Sequence, residues 1–506
     1  MTSDDTSLVE YGIDDKPPFT SALFLGIQHY LTMVGANIAV PLILAGALGM
    51  PESLWPRFIG TFFVVSGVAT LAQTTFGNRY PIVQGAPFSL LAPALAVIGV
   101  VQATNPTGEA WQAALLQLQG AIIVAAFVQV AIGYFGLVGK LKRFLSPIVI
   151  APTIALIGLS LFNAPDVVTP DQDWWLLGLT LALIALFSQY LRTNRFFKLF
   201  PILLGIVTAY VLALGLSMAG IYTASDPGFV DLSGAAETSL ILPITPFQWG
   251  MPTVTAAFVI GILAGVAASI VESLGDYYAV ARLSGAAAPS AKRIDHGIGM
   301  EGLMNVFSGV MGTGGSTSYS ENIGAIGLTG VASRYVVQIG AITMLIAGFI
   351  GYWGALVASI PGPIIGGLYI AMFGQIVAVG LANLKFVDLD SQRNLFILGI
   401  SLFAGLAIPA YMGNFESPDV FAEGMASVAV VGPVLGSDVV ATTIFVIGST
   451  GMAVGGLLAL FFDNTIPGTR EERGLVEWEA AEEGDEAFQS AWDRYVRRKD
   501  EPVSAD

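Results

Sequence analysis

The sequence predicts an all-α polytopic membrane protein of about fourteen transmembrane segments, built as two inverted seven-span repeats, and three observations carry that expectation. Of 506 residues, 54% are hydrophobic and 11% charged, with a mean hydropathy of +0.73, far too apolar a balance for a water-soluble globule. Apolar stretches follow one another with short polar breaks, near 20–47, 56–76, 84–102, 113–139, 146–163, 174–191, 197–221, 252–276, 296–311, 321–333, 335–358, 363–383, 394–411 and 438–462. Finally, Pro147-Ile148-Val149 with Ile154-Ala155-Leu156 and Gly158 returns at identical spacing as Pro363-Ile364-Ile365 with Ile370-Ala371-Met372 and Gly374. These are the fifth and twelfth stretches, so the halves hold seven spans each and, seven being odd, run in opposite senses.

In chain order, the acidic N-terminus lacks the basic start of a signal peptide, so no cleaved leader is expected. The first span carries Gln28 and His29, the histidine able to bond a carboxylate or relay a proton. The third is short, opens with Gly85-Ala86-Pro87 and is interrupted by Pro93. Lys140, Lys142 and Arg143, then Arg192, Arg195 and Lys198, Arg282, Lys292 and Arg293, and Lys385 and Arg393 all follow even-numbered spans, which puts both termini in the cytoplasm. The loop from Tyr222 to Gly250 holds Asp226, Asp231 and Glu237 and no basic residue, as expected outside. In the eighth span, Gly261, Gly265, Ser269, Glu272 and Asp276 share one helix face, small residues followed by two carboxylates a turn apart. Intramembrane acids mark a substrate or ion path by default. Glu301, in the ninth span, either orients the others or ends a helix.

The tenth stretch organises the rest. Gly312 to Ser320 is glycine-rich and polar, unsuited to a lipid-facing helix, and such backbone survives only where it lines a cavity. From Asn322 to Ser333 the residues are helix-compatible, about 18 Å of helix at ~1.5 Å per residue, with its positive end beside Glu321. An extended lead-in followed by a half-helix, paired with the interrupted third span, points to a binding site at the membrane midplane. After Phe462 the tail is acidic and amphipathic, with Val476, Trp478 and Phe488 available for packing. The net charge of −16, with lysine scarcer than arginine, suits solubility in concentrated salt, so a halophilic source is expected.

These residues resemble a known family. Glu321-Asn322-Ile323-Gly324 through Thr329-Gly330 is similar to the signature of the nucleobase–ascorbate transporters of the nucleobase:cation symporter family, which includes uracil and xanthine permeases. Gln28-His29, Gln84-Gly85-Ala86-Pro87-Phe88 and Glu272-Ser273-Leu274-Gly275-Asp276 match further motifs in order, and the likeness runs from about Pro18 to Phe462. It implies a cytoplasmic tail (1–19), a core domain of spans 1–4 and 8–11 (20–139 and 252–358), a gate domain of spans 5–7 and 12–14 (140–221 and 359–462), an external loop (222–251) and an acidic cytoplasmic tail (463–506). Spans 3 and 10 would each give a short midplane strand. The base would be held by Glu272 and Glu321 and by backbone near Phe88 and Ser320, with Tyr319 and Asn322 alongside. His29, Asp276, Glu301 and Gln28 would couple protons or orient the site.

The implied activity is import of a nucleobase by cation symport at the plasma membrane, with the proton as first choice over sodium, by a homodimer with no cofactor and no nucleic-acid partner. Tyr319-Ser320-Glu321-Asn322 looks like the uracil permeases, whereas Asp276, Gln84 and Gly330 look like the xanthine and urate branch, so the base stays open. The alternative is an inorganic-anion transporter of the same architecture, whose substrate the acids would repel. An enzyme is disfavoured: the chain has no cysteine, no histidine-rich metal motif and no serine elbow. A channel would need a continuous polar face that the sequence does not show.

Overall fold

A computed structural model of the chain describes residues 9–104, 109–142, 144–162, 167, 169, 172–191, 193–415, 417–476, 488–490 and 493. Arg143, Arg192, Trp478 and most of the acidic tail, named above, lie outside the described residues. The principal helices are α1 (Phe19–Leu48), α2 (Trp55–Thr75), α3 (Phe88–Thr104), α4 (Ala110–Tyr134), α5 (Pro147–Leu159), α6 (Trp174–Ala185), α7 (Pro201–Met218), α8 (Ala256–Leu283), α9 (Ala291–Met311), α10 (Ser320–Thr329), α11 (Arg334–Phe349), α12 (Gly362–Ala382), α13 (Gln392–Met412), α14 (Asp438–Gly448) and α15 (Gly451–Thr465). Two short strands, β1 (Gln84–Gly85) and β2 (Thr317–Ser318), precede α3 and α10. Among the described residues, seven helices are long and apolar enough to cross a membrane, or eight if the pair α14 and α15 is one span. Others, such as α3 and α5, are apolar but shorter.

Helix ends follow local chemistry. α5, α7 and α12 each place a proline in the first turn, where its missing N–H removes no helical bond. α1 and α9 stop at Gly49 and Gly312, both in the left-handed region that glycine adopts without strain.

Three expectations need correction. Pro93 does not interrupt the third span: α3 runs through it, because one lost backbone bond is tolerated inside a packed helix. The half-helix ends at Thr329 rather than Ser333. Gly330 turns left-handed at φ +71°, and Gly330 to Arg334 pair instead with the N-terminal segment, Glu10 N–H to Gly330 C=O at 2.7 Å and Ala332 N–H to Tyr11 C=O at 2.8 Å. The stretch 438–462 is two helices meeting at 93°.

Without water to drive apolar surfaces together, helices in lipid associate by close packing of small residues. α2 lies along α11 and α4 along α9, α1 packs on α11 and α8 on α4, and α5 packs on α12. Glycines set the approach: an added Cβ at Gly340 would meet the Gly26 backbone, one at Gly348 the Gly60 carbonyl, and one at Gly133 the Gly299 backbone. Gly374, by contrast, faces open space. Gly340→Ala is therefore expected to destabilise the folded protein by about 1–3 kcal/mol through overpacking, whereas Gly374→Ala raises stability by up to about 1 kcal/mol through helix propensity. Thermal unfolding of the two purified variants in one detergent checks the opposite signs.

Candidate functional site

β1 and β2 pair antiparallel, Gln84 opposite Ser318 and Gly85 opposite Thr317, and the ladder extends through Tyr319 N–H to Val83 C=O at 3.0 Å. Because the strands run in opposite directions, α3 and α10 leave the ladder at opposite ends. Side chains supply the bonds that so short a ladder cannot. Thr70 Oγ1 accepts from Gln84 N–H at 2.9 Å and donates to Gln84 C=O at 3.3 Å. Asn322, fully buried, clamps the lead-in to β1, its Oδ1 accepting from Val83 N–H at 3.0 Å and its Nδ2 donating to Pro81 C=O at 2.9 Å. Asn37 Oδ1 accepts from Ala86 N–H at 3.2 Å and Ser66 Oγ at 3.0 Å. The Tyr319 hydroxyl donates to Ala86 C=O at 2.8 Å while its ring covers Gly85, where a Cβ would strike it.

The four acids occupy different environments. Glu301, on α9 and 1% exposed, accepts from Ser273 Oγ at 2.7 Å, Ser269 Oγ at 2.9 Å, Thr317 Oγ1 at 3.2 Å, and Ser318 Oγ and Gln129 Nε2 at 3.3 Å. Its carboxylate thus ties α8, α4 and β2 to α9. Asp276, on α8, takes the Ser320 hydroxyl on Oδ1 at 2.6 Å, while its buried Oδ2 has no partner. Glu272, one turn earlier, is half-buried and its Oε2 is likewise without a partner. Glu321, in the first turn of α10 where the helix dipole favours a negative group, lines a cavity of about 510 Å³ with Thr32, Gln189, Lys198 and Gln375.

The remaining expected residues divide. Phe88 opens α3 and meets Phe373 of α12 edge-on, with ring centres 6.1 Å apart, and Phe373 stacks on Tyr369. His29 is buried with its ring against the Val331 backbone, and neither ring nitrogen bonds a carboxylate. Gln28 lines a different cavity, of about 910 Å³, with Glu10, Tyr11 and Asn194. The structure therefore joins Glu272, Asp276, Ser320 and Glu321 around the start of α10, gives Tyr319 and Asn322 to the strand pair, and sets His29 and Gln28 apart. Asn37, Thr70 and Gln129 were missed; each is a polar residue within an apolar stretch, the one signal that could have flagged it.

Residues 20–413 match the xanthine/uracil permease grouping, described as a permease family. The chain is 42% identical over 509 residues to solute carrier family 23 member 2 of Rattus norvegicus, covering 92% of this chain and 76% of that one. It is 33% identical over 517 residues to nucleobase-ascorbate transporter 11 of Arabidopsis thaliana, covering 94% and 72%. The transmembrane domain of the cyanobacterial bicarbonate transporter BicA shares the fold, with a TM-score of 0.53 at 16% identity over 87% of this chain and all of that one.

In Glu301→Gln the surrounding hydroxyls can rotate to accept from the new amide, so the fold is expected to survive. Glu301→Ala leaves buried hydroxyls and an amide unpaired and is expected to destabilise by about 1–3 kcal/mol more than the glutamine variant. Denaturation midpoints of the two variants measure the difference.

Proposed function

The chain belongs to this permease family, whose members are membrane transporters and not enzymes, and on that footing we propose that it is a secondary active transporter importing a nucleobase by proton symport. The observation that carries the reading is the set of unpartnered carboxylate oxygens, Glu272 Oε2 and Asp276 Oδ2, with Glu321 facing a cavity at the start of α10. A planar base offers ring N–H donors beside carbonyl acceptors; carboxylates complement the donors, and backbone N–H groups near Phe88 and Ser320 the acceptors. Glu272 and Glu321 contact the base in this reading, and Asp276 shares Ser320 with the start of the half-helix. A cation that accompanies the base balances the charge of these acids, which is the physical reason for coupling.

Packing supports two seven-span halves. Exchanging helices seven apart turns the α2–α11 contact into α9–α4, α1–α11 into α8–α4, and α1–α10 into α8–α3, while α5–α12 and β1–β2 map onto themselves. In this reading the strand pair lies at the membrane midplane between a core (α1–α4, α8–α11) and a gate (α5–α7, α12–α15), whose rocking exposes the site alternately. The basic residues that follow even-numbered spans support a plasma-membrane protein with both termini in the cytoplasm, and two copies would form the working unit.

An anion transporter is the weaker reading. It has the fold likeness to BicA in its favour, but three acids surround the site, and Lys198 is the one cationic side chain among the described residues lining the Glu321 cavity. The plant relative's name pairs nucleobase with ascorbate; ascorbate, negatively charged at neutral pH, meets the same repulsion. Among bases, Glu321 as acceptor favours neutral uracil over xanthine, which ionises more readily.

Uptake of labelled uracil, xanthine, urate, adenine and ascorbate into reconstituted vesicles, under imposed proton or sodium gradients, is expected to show proton-driven uracil transport. Uptake of ascorbate in its place sinks the reading. Glu272→Gln keeps the side-chain shape and loses the full acceptor, so it is expected to abolish transport in a folded protein. Glu321→Gln is expected to weaken uracil more than xanthine, by about 1–3 kcal/mol for one mismatched buried hydrogen bond; calorimetric titration of both bases reads the difference, and equal losses would assign Glu321 to the fold.

A further inference from the structure

A surface away from the site is occupied by the chain's own C-terminal part. Phe488, 8% exposed, lies against the Arg293 guanidinium, whose carbon is 5.0 Å from the Phe488 ring centre and 3.9 Å from that of Tyr80. The cation is thus held between two ring faces. His296 meets Phe488 edge-on at 5.9 Å, Arg79 Nη1 donates to Gln489 C=O at 3.1 Å, and Lys292 Nζ pairs with Asp493 Oδ2 at 2.5 Å. Ser490 and Asp493 satisfy each other, the serine N–H and hydroxyl donating to the carboxylate and the Asp493 N–H to the serine oxygen. Lys292 is half-exposed, so its ion pair contributes little; Phe488 and Arg293 form the anchor.

The same residues adjoin the segment that leads into β1. Arg293 Nε donates to Asn78 C=O at 2.7 Å, Tyr80 is wholly buried, and Arg79 holds φ +59°, a left-handed backbone that a non-glycine residue adopts only when its surroundings impose it. Two and four residues after Arg79, Asn322 grips Pro81 and Val83, and Gln84 begins the strand. The tail contact, the strained turn and the strand therefore form one continuous piece of chain and packing.

We propose that the tail residues Phe488, Gln489, Ser490 and Asp493 act as a docked positioning element: by closing on Arg79, Tyr80 and Arg293 they hold the 78–83 lead-in, and through it β1, in the geometry that sets substrate affinity. The affinity half rests on the transport reading; the docking half does not. The basic, aromatic surface fits an aromatic residue followed by an acid, which is the chemistry of this tail. Removing the tail relaxes the strained turn and loosens the amides of Arg79, Tyr80, Val83, Gln84 and Ala86, all hydrogen-bonded when it is docked.

Hydrogen exchange over 78–86 reads the docking without any substrate, in the full chain, in Phe488→Ala and in a chain ending at Val476. Exchange is expected to rise about fivefold or more in both variants. A synthetic peptide of residues 477–506 added to the shortened chain is expected to restore protection, which a merely misfolded variant cannot show. In uptake, KM is expected to rise about five- to tenfold with the maximal rate kept, and to return with the peptide. Unchanged exchange, a peptide without effect, or raised exchange with unchanged KM each overturns the proposal. If the full chain transports no nucleobase, the transport reading fails on its own, and the exchange and peptide results decide the docking.

Discussion

A chain inside an apolar bundle cannot leave backbone N–H and C=O groups unpaired, because no water is there to take them. Two segments of this protein nevertheless abandon helix, and each can do so only because the other does: Gln84-Gly85 and Thr317-Ser318 lie side by side, although more than two hundred residues separate them. A two-residue ladder satisfies few groups, and the surrounding side chains are chosen to complete it. Asn322, Asn37, Thr70 and Tyr319 each direct a polar atom at a backbone group of the 81–86 segment. Polar side chains that look like ligand contacts in sequence are thus partly scaffolding for unconventional backbone.

That distinction sorts the acids. Glu301 is surrounded by donors and makes good its burial through hydrogen bonds that join four elements, the behaviour of a group that fixes geometry. Asp276 has one partner and one unpartnered oxygen, and Glu272 also leaves an oxygen unpartnered. A buried acceptor without a donor is costly, and it is tolerable where something else supplies the donor for part of the time. On the proposed reading, the order from Glu301 through Asp276 to Glu272 and Glu321 is an order from scaffold to binding surface.

Much of this was legible in the sequence because it depends on local composition. The breaks at 84–87 and 312–320 show as glycine and small polar residues where helix formers are needed, and the acids show as charges in apolar stretches. What was not legible depends on distant partners. Nothing near Asn322 reveals that its amide is used on Pro81 and Val83, and nothing near Phe488 reveals Arg293. Val331-Ala332-Ser333 is compatible with helix, yet Ala332 bonds Tyr11 and Arg334 bonds Ile13 instead, and the helix ends at Thr329 with Gly330 as its cap. Pro93, a local signal, misled because a packed helix absorbs one missing bond.

In the two-repeat reading proposed above, the scaffold is nearly symmetric while its chemistry is one-sided. Helices seven apart make corresponding contacts, and α3 and α10 are each preceded by one strand of the β1–β2 pair. The side chains differ. α8 presents Glu272 and Asp276 and α10 presents Glu321, whereas α1 presents Asn37, bonded to Ala86 and Ser66, and α3 opens with Phe88 against Phe373. In the nucleobase reading proposed above, acceptors on one half and an aromatic face on the other would give a planar, hydrogen-bonding ligand one edge to bond and one face to stack. On the proposed reading, symmetry in the backbone supplies the site, and departure from symmetry in the side chains gives its ligand a single orientation.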